Sequence, residues 1–310
     1  MKLVASICAS GEYKIISHTG HVRDESGRIV QLGRVLSESE WQSNTITADG
    51  LAMFLSTDNS QLAGVRMEDS IGRYIDLNEF VSAVTARSSA TDPNGEIWWQ
   101  TAWRFTGSFS GDTRVLRLQR ASVRTVGGKT VSTASLPAFV VDLKDEKFDV
   151  IWRMREYCSA LTKGTAIVSR YQKGVLVDKT YVGYKLRPCN FENVTDSTQG
   201  WMPISTVAFP HLAPIQSRFK LGVGTIGPTV VAQPVFAEFI LPNAMTVVRP
   251  SPDTAIVGVA YDVPQTLSGE VFDAIQFMAG HWEWQVQFDG PVTKSNYILK
   301  VELGITVKVR

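Results

Sequence analysis

Histidines are the residues of this chain with the most versatile chemistry, because an imidazole can bind a metal ion or transfer a proton near neutral pH. The sequence contains four, His18, His21, His211 and His281. His18 and His21 lie either side of a glycine in "SHTGH", which is typical of a turn, and "HWEWQ" at His281 lacks the second histidine of a zinc-protease helix. We therefore expect exposed or hydrogen-bonded histidines, without a metal or catalytic role.

Other patterns associated with catalysis lack the context that their chemistry needs. "GVGTIG" (222–227) has the spacing of a dinucleotide-binding loop, but Pro228 follows where a helix would have to begin. No G-x-S-x-G sequence surrounds any serine. The acidic residues at 142, 145, 146 and 149 are expected in a solvated hairpin turn, and their spacing does not assign a glycosidase pair. The sequence predicts no catalytic residue, no cofactor and no enzymatic activity.

Composition excludes several further classes of function. Lysine plus arginine (31) nearly balances aspartate plus glutamate (30), so a net charge of +1 gives no field to attract nucleic acid. The three cysteines, Cys8, Cys158 and Cys189, form no C-x-x-C pair, and they are expected as thiols in a reducing cytosol. No run of apolar residues is long enough for a membrane helix, so membrane insertion is not expected.

The elements that must position any site follow a period of two. Alternation of apolar and polar residues predicts strands at 147–156, 281–289 and 297–310, the last two as an antiparallel hairpin. Short helices are expected at most around 37–41 and 269–278, the second being equally compatible with a strand. The fold class predicted is therefore mostly β, with little helix.

The domain organisation predicted is two tandem antiparallel β-sandwich domains, residues 1–160 and 161–310. "WRFTGSFSGD" (103–112) aligns without gaps to "YDVPQTLSGE" (261–270), at a similar distance from the end of each half. This faint repeat suggests that the two domains arose by duplication.

The stretch "WWQTAWRFTGSFSGDTRVLRLQR" (98–120) combines aromatic residues with arginines, as a surface that stacks on bases or sugars would. Strand register instead turns Trp99, Thr101, Trp103 and Phe105 to one face, which favours a core, with a ligand-stacking platform as the alternative. The arginines then face solvent or a neighbouring subunit. The candidate interface residues are Arg104, Arg114, Arg117, Arg120, Arg153 and Arg155, and the candidate exposed aromatics are Trp98, Trp201 and Trp282.

Four stretches resemble a family of structural virion proteins of tailed, short-tailed bacteriophages. "NTITADGLAMFLSTD" (44–58) is similar to an "N-x-x-T-x-x-G-L" segment of that family. "WRFTGSFSGDTRVLRL" (103–118) with "LKDEKFDVIWRMREY" (143–157) resembles an "FTG-x-FTG" strand pair followed by a "DE-x-L-x-V-x-W-x-x-R" strand. "YVGYKLRPCNFENVTDSTQGW" (181–201) resembles a "Y-x-x-T-x-RPA-x-V" segment, and the close from 284 to 310 resembles "YQ-x-x-FDPPI-x-K" followed by a long strand.

The resemblance implies a non-enzymatic virion protein of the tail, neck or fibre-attachment region, assembled in the host cytoplasm as a symmetric oligomer. Its implied partners are copies of itself and other virion proteins of the tail, adaptor or portal, and fibre, without a specific nucleic acid. Two alternatives stay open. One is a capsid-decorating (cement) protein, and the other is a carbohydrate-binding module that recognises a host surface glycan.

Overall fold

A computed structural model describes residues 2–55, 62–87, 96–159, 161–189, 219–224, 232–239, 244–263, 271–279 and 282–309. Within these ranges the chain is mostly β, as predicted, and its one helix, α1, is eight residues long. None of the helical structure described is long and apolar enough to cross a membrane.

The N-terminal half contains twelve of the strands described. Most of them follow the alternation of the sequence, because every second side chain of a strand points to the same face. Their bounds are β1 Lys2–His18, β2 Val22–Arg23, β3 Ile29–Gln31, β4 Val35–Glu38, β5 Gln42–Ile46, then α1 Ala48–Leu55, and β6 Leu62–Asp69, β7 Tyr74–Leu77, β8 Glu79–Arg87, β9 Glu96–Thr106, β10 Val115–Thr125, β11 Thr130–Asp142 and β12 Phe148–Ser159.

These strands form a near-closed barrel. The paired order is β8-β9-β12-β1-β5-β11-β10-β6-β7, with all of these pairs antiparallel. The two outermost strands, β7 and β8, follow one another along the chain with only Asn78 between them. The first and last strands of the curled sheet are therefore connected through this single residue.

The C-terminal half forms a curled half-barrel. The paired order is β17-β18-β21-β13-β14-β20-β19-β15-β16. Lys173 and Gly174, both with positive φ, make the tight turn between the first two strands of this half. The bounds are β13 Thr162–Gln172, β14 Val175–Cys189, β15 Phe219–Gly224, β16 Ala232–Phe239, β17 Ala244–Ser251, β18 Thr254–Val263, β19 Val271–Ala279, β20 Trp282–Thr293 and β21 Ile298–Val309.

One strand joins the two halves. β1 pairs with β12 along one edge, while residues 2–9 of its other edge run parallel to β21, from Lys2 opposite Glu302 to Ala9 opposite Val309. The core is correspondingly continuous, with Trp103 and Trp152 inside the barrel and Trp284 inside the half-barrel. The predicted boundary near residue 160 falls between β12 and β13, and this division into domains stays a prediction.

The inward register of the aromatic stretch is confirmed where the structure describes its side chains. Trp103, Phe105, Leu116 and Leu118 are buried, and Arg117 is exposed on the opposite face. Burial of such aromatic side chains stabilises the fold by roughly 2–3 kcal/mol each. The core interpretation of this segment therefore holds for the residues that the structure describes.

Three expectations about the elements are corrected. The strands form a near-closed barrel and a curled half-barrel rather than two sandwiches. In each half the strands are hydrogen-bonded in one continuous curled sheet, whereas a sandwich would have two separate sheets packed face to face. β20 and β21 are strands, but in the described residues they do not pair with each other as a hairpin. β20 pairs with β14 and β19, and β21 pairs with β1, β13 and β18. Residues 37–41 are not helical, and for the second helix candidate the strand alternative is confirmed, since 271–279 form β19.

Candidate functional site

An arm of twenty residues, 19–38, leaves the barrel at the end of β1, forms the small β2–β3 hairpin and returns as β4 beside β1. Its base is closed by a hydrogen bond from the Thr19 amide to the Arg34 carbonyl, 3.0 Å. Outside this base the arm presents large apolar side chains to solvent. These are Val22, Val30, Leu32, Val35 and Leu36.

The base of the arm covers a buried carboxylate, Asp149, on the outer face of β12. One oxygen of Asp149, Oδ1, lies 3.0 Å from His18 Nε2 and 3.1 Å from His21 Nε2. The other oxygen, Oδ2, accepts a hydrogen bond from Arg104 Nε at 2.5 Å, and the Thr106 hydroxyl also donates to the carboxylate. We call these five residues the Asp149 cluster.

Backbone amides fix the protonation of both rings. The Gly20 amide donates to His18 Nδ1 at 3.0 Å, and the Gly33 amide donates to His21 Nδ1 at 3.1 Å. Each Nδ1 is therefore an acceptor without a proton, so each neutral ring carries its proton on Nε2 and donates it to Asp149. Both nitrogens of each imidazole are engaged.

Charge in the cluster is balanced with neutral histidines. Burial raises the pKa of Asp149, but the hydrogen bond from Thr106 and the Arg104 guanidinium outweigh it and hold that pKa below its usual value. Burial lowers the pKa of His18, against the attraction of Asp149. The carboxylate and the guanidinium are thus the charged pair, and the neutral His18 ring donates a hydrogen bond to it.

The spacing of His18, His21 and Asp149 resembles a set of metal ligands, since their ligand atoms lie within 4.8 Å of one another. One observation opposes metal binding. A ligating nitrogen needs its proton on the other nitrogen, donated to an acceptor, whereas both Nδ1 atoms here face amide N–H donors. The geometry is that of hydrogen bonds.

General base catalysis is opposed by the same contacts. In a Ser–His–Asp arrangement one imidazole nitrogen faces the carboxylate and the other faces the nucleophile. Here the second nitrogen of each ring accepts a backbone amide proton, from Gly20 or Gly33. The cluster therefore fastens the arm rather than offering a proton acceptor to a substrate.

A second fastening lies on the other side of the arm. Arg23 makes a two-pronged ion pair with Glu79 at the start of β8, with Nη1 to Oε1 at 2.7 Å and Nη2 to Oε2 at 2.6 Å. A cleft of about 400 Å³ separates the arm from β8 and is lined partly by Ile29, Leu32 and Phe80. The arm is thus held at its base and at one flank.

The rest of the same outer face carries stacked arginines. The guanidinium of Arg153 lies 3.7 Å from the ring centre of Trp41 and donates from Nε to Glu12 Oε2 at 2.9 Å. Lys14 approaches the same indole at 5.3 Å and pairs with Glu38 of the arm.

One step further along β12, Arg155 makes the equivalent contacts. It donates twice to Gln100 Oε1, at 3.0 and 2.7 Å, and its guanidinium lies 4.7 Å from Trp98 and 5.8 Å from Tyr157. We call the set formed by Trp41, Arg153, Arg155 and Trp98, with Glu12 and Gln100, the arginine ladder.

The arginines predicted from the sequence as interface residues thus fall into four groups. Arg104 belongs to the Asp149 cluster, Arg153 and Arg155 to the ladder, and Arg114 pairs with Asp112 in its own turn. Arg117 and Arg120 are exposed on β10, and neither has an ion pair with a residue in the described ranges. Arg120 lines a groove of about 500 Å³ with Arg66 and Arg124.

Of the three predicted exposed aromatic residues, only Trp98 has a side chain that the structure describes. Trp98 is half-buried and lies against Arg155. Trp282 is the first residue of β20, but its side chain lies outside what the structure describes, and Trp201, His211 and His281 lie outside the described residues altogether. "GVGTIG" is described only to Gly224, where it is part of β15 rather than a loop before a helix.

Two other buried reactive groups lie away from the arm. Burial raises the pKa of the Cys158 thiol to about 12, which keeps it protonated and weakly nucleophilic. Burial lowers the pKa of Lys294, whose ammonium has no hydrogen-bond partner among the residues described. The titratable neighbours of Cys158 are Cys8 and Glu156, and both cysteines are free thiols.

The expectation that Asp149 is solvated in a turn is wrong, and the sequence analysis missed the site for that reason. Asp149 is the second residue of β12, and its partners His18 and His21 lie 131 and 128 positions away. The expectation of hydrogen-bonded histidines is confirmed for these two. A local signal was present in the two histidines around a glycine, but nothing in the sequence joined them to Asp149.

Comparison of the chain with protein-family models, with curated proteins and with solved structures finds no match.

Proposed function

We propose that this protein is a non-enzymatic structural subunit of a tailed-bacteriophage virion, of the tail, neck or fibre-attachment type, and that the arm contacts a second copy of the chain. The sequence resemblance supplies the class of protein. The structural observation that carries the proposal is an exposed apolar arm on a firmly anchored base.

The arm has the properties of a preorganised contact. Val30 and Leu36 are 61% and 60% exposed, and Val22, Leu32 and Val35 add to the same short segment. Clustered exposed apolar side chains mark protein–protein contacts more often than chance. Because the Asp149 cluster and the Arg23–Glu79 pair already hold the arm, little conformational entropy is lost when a neighbour covers it.

A second copy is the occupant that fits best. The cleft between arm and β8 offers apolar side chains, Ile29, Leu32 and Phe80, that match the apolar arm of an identical neighbour. Contacts between an arm and the next cleft are head-to-tail, and such contacts close into a ring when the rotation allows it. A ring around a tail axis is the assembly that the proposal requires.

The role first expected of the arginines changes with this proposal. Arg104, Arg153 and Arg155 have hydrogen-bond partners within their own chain. Their contacts therefore stabilise the fold and the anchoring of the arm rather than a subunit interface. Arg117 and Arg120 are exposed and keep their place as candidate contact residues, with other virion proteins as the partners. Arg114 contributes to its turn through Asp112.

The test is the oligomeric state of the purified chain by size exclusion with multi-angle light scattering. We expect an oligomer of defined mass, and we expect Val30→Asp with Leu36→Asp to reduce it to the monomer. Val126→Asp, at a side chain 72% exposed in a turn remote from the arm, is the matched control and should leave the mass unchanged. A monomeric wild-type protein, or an oligomer unaffected by the arm variant, contradicts the proposal.

Two other roles give different results in simple measurements. A capsid-decorating protein would be present in hundreds of copies per virion, which quantitative mass spectrometry of particles counts. A glycan-binding module would retain a host surface glycan on an array. Trp98, one of the aromatic residues predicted for the glycan role, already lies against Arg155.

A further inference from the structure

We infer that the Asp149 cluster is an acid-sensitive latch, which holds the arm closed at neutral pH and releases it when His18 takes up a proton. The opening of the latch is a property of the single chain. Its consequence for assembly, the exposure or loss of the contact surface, rests on the proposed function above.

The latch is complete only with both rings neutral. Each Nε2–H donates to Asp149 Oδ1, and each Nδ1 accepts from a backbone amide of the arm, Gly20 or Gly33. A protonated ring carries a proton on Nδ1 as well. That proton would face an amide N–H, so the hydrogen bond that holds the arm backbone would become a contact between two donors.

Charge acts in the same direction. The single negative charge of Asp149 is already matched by Arg104 at 2.5 Å, so a proton on either ring adds an unmatched positive charge to a buried site. Protonation of both rings would place two cations face to face at 4.1 Å. Opening of the arm exposes the imidazoles to water, which solvates their charged form.

The surrounding groups supply no net negative charge, since four basic side chains stand against three acidic ones. Lys147 packs against Gly20, and its own carbonyl accepts a hydrogen bond from the His18 amide at 2.9 Å. A cleft of about 550 Å³ beside the rings gives water access to this region. The charged and titratable groups that face the rings or line this cleft are Asp149 and Arg104 from the sheet, Lys144, Glu146 and Lys147 before β12, Asp112 after β9, and Arg23 of the arm.

The sign of the effect follows from proton linkage. The open arm binds protons with the ordinary histidine pKa of about 6.5, while burial lowers the pKa of His18 in the closed arm. The open state therefore binds more protons, and it gains population as the pH falls below about 6.5. At pH 5.5 the gain is about tenfold if His18 stays neutral in the closed state.

The experiment is hydrogen exchange of the full-length chain at pH 7.5, 6.5 and 5.5, read by mass spectrometry and corrected for the pH dependence of the chemical exchange rate. We expect peptides within 19–34 to lose about tenfold or more of their protection between pH 7.5 and 5.5. The β6–β7 hairpin, residues 62–77, contains no histidine and is the internal reference, which should change little. Equal protection of the arm at pH 7.5 and 5.5 overturns the latch.

Two variants separate titration from general loosening. In the double variant His18→Gln, His21→Gln a neutral amide replaces each ring, so protection of the arm should no longer depend on pH in this range. Asp149→Asn should open the arm already at pH 7.5. A pH response of full amplitude in the double variant contradicts the latch, and the wild-type titration decides the matter if that variant does not fold.

Light scattering of the same wild-type samples distinguishes this inference from the proposed function. If the arm opens in acid while an oligomer keeps its mass, the latch is supported and the arm is not the subunit contact. If the oligomer dissociates in acid while the arm stays protected, the latch is contradicted and assembly has another pH-sensitive contact.

Discussion

The Asp149 cluster and the arginine ladder occupy one face of one strand, and they use the same kinds of residue to different effect. Asp149 and Arg153 are four residues apart on β12, and each belongs to an arginine–carboxylate pair. The two guanidinium groups are similarly exposed, at 13% for Arg104 and 12% for Arg153, but the Asp149 carboxylate is fully buried under the arm whereas the Glu12 carboxylate is 29% exposed. The two pairs differ because the arm, residues 19–38, covers Asp149, and the arm is distant from β12 in sequence.

Burial decides how strongly the stability of the fold depends on such an ion pair. An exposed ion pair contributes little, because water solvates each partner nearly as well when the pair is broken. A buried charge left without its partner has no such compensation. The cluster should therefore decide whether the arm and barrel hold together, and the ladder should only adjust the surface.

The largest effect is expected for Asp149→Asn, which leaves the Arg104 charge buried without its carboxylate. The free energy of unfolding should fall by about 3–5 kcal/mol. Glu12→Gln, which removes the carboxylate of the ladder from Arg153, is the matched control and should cost about 0.2–1 kcal/mol. Urea titration of both variants measures the difference, and equal losses would show that the cover of the arm does not matter.

A smaller loss is expected for Gly33→Ala, which changes no charge. A methyl group at Gly33 would lie 2.3 Å from the Gly20 carbonyl oxygen, so the two amides that hold the histidine rings could not both keep their places. We expect a loss of about 1–3 kcal/mol, the usual range for overpacking. Gly290→Ala, where the methyl group would meet nothing within 4 Å, is the control for thermal unfolding and should leave the melting temperature nearly unchanged.

The next effect is a pH dependence that belongs to the cluster and not to the ladder. Since burial lowers the pKa of His18 in the folded chain, the unfolded chain binds more protons below about pH 6.5. Stability should be highest above that pH and fall by up to about 1.4 kcal/mol per pH unit below it. His18→Gln should flatten this slope between pH 7.5 and 5.5 in denaturant titrations, while Glu12→Gln should retain it.

The smallest effect is expected in the ladder itself. Trp41→Ala removes the ring on which Arg153 stacks, and such contacts contribute about 0.5–1 kcal/mol at exposed sites. A double-mutant cycle with Arg153→Ala isolates this coupling energy. A coupling of several kcal/mol would place the ladder in the same energetic class as the cluster and remove the distinction between them.

Much of the fold was predictable because strand register is local. Alternation placed Trp103, Phe105 and Trp152 inside and the arginines outside, and each neighbour along a strand points to the opposite face. The partners of a strand are not local in this sense. The sequence therefore predicted β20 and β21 as strands, but not that they pair with others rather than with each other.

The candidate site was predictable only in part, for the same reason. Hydrogen-bonded histidines were expected at 18 and 21, and arginines were expected on the outer faces at 104, 153 and 155. The partners within the chain come from different elements: Asp149 reaches Arg104 across the β9–β12 pair, and Trp41 precedes β5, which pairs with β1 beside β12. One signal in the sequence could have found the site. Asp149 is a polar residue on the outward face of a predicted strand, and the segment 19–38, with three glycines, is long enough to fold over such a face.

The sequence by itself determined a mostly β chain, the inward and outward faces of its strands, and a charge balance that gives no global field for nucleic acid. Only the tertiary structure decided that the sheets curl into a barrel and half-barrel, and that one outward-facing carboxylate is buried under an arm. The physical reason is that side-chain direction is set by neighbours along the chain, whereas burial of an outer face is set by whatever segment covers it. Asp149 and Arg153 share a direction, and their surroundings differ because the arm ends between them.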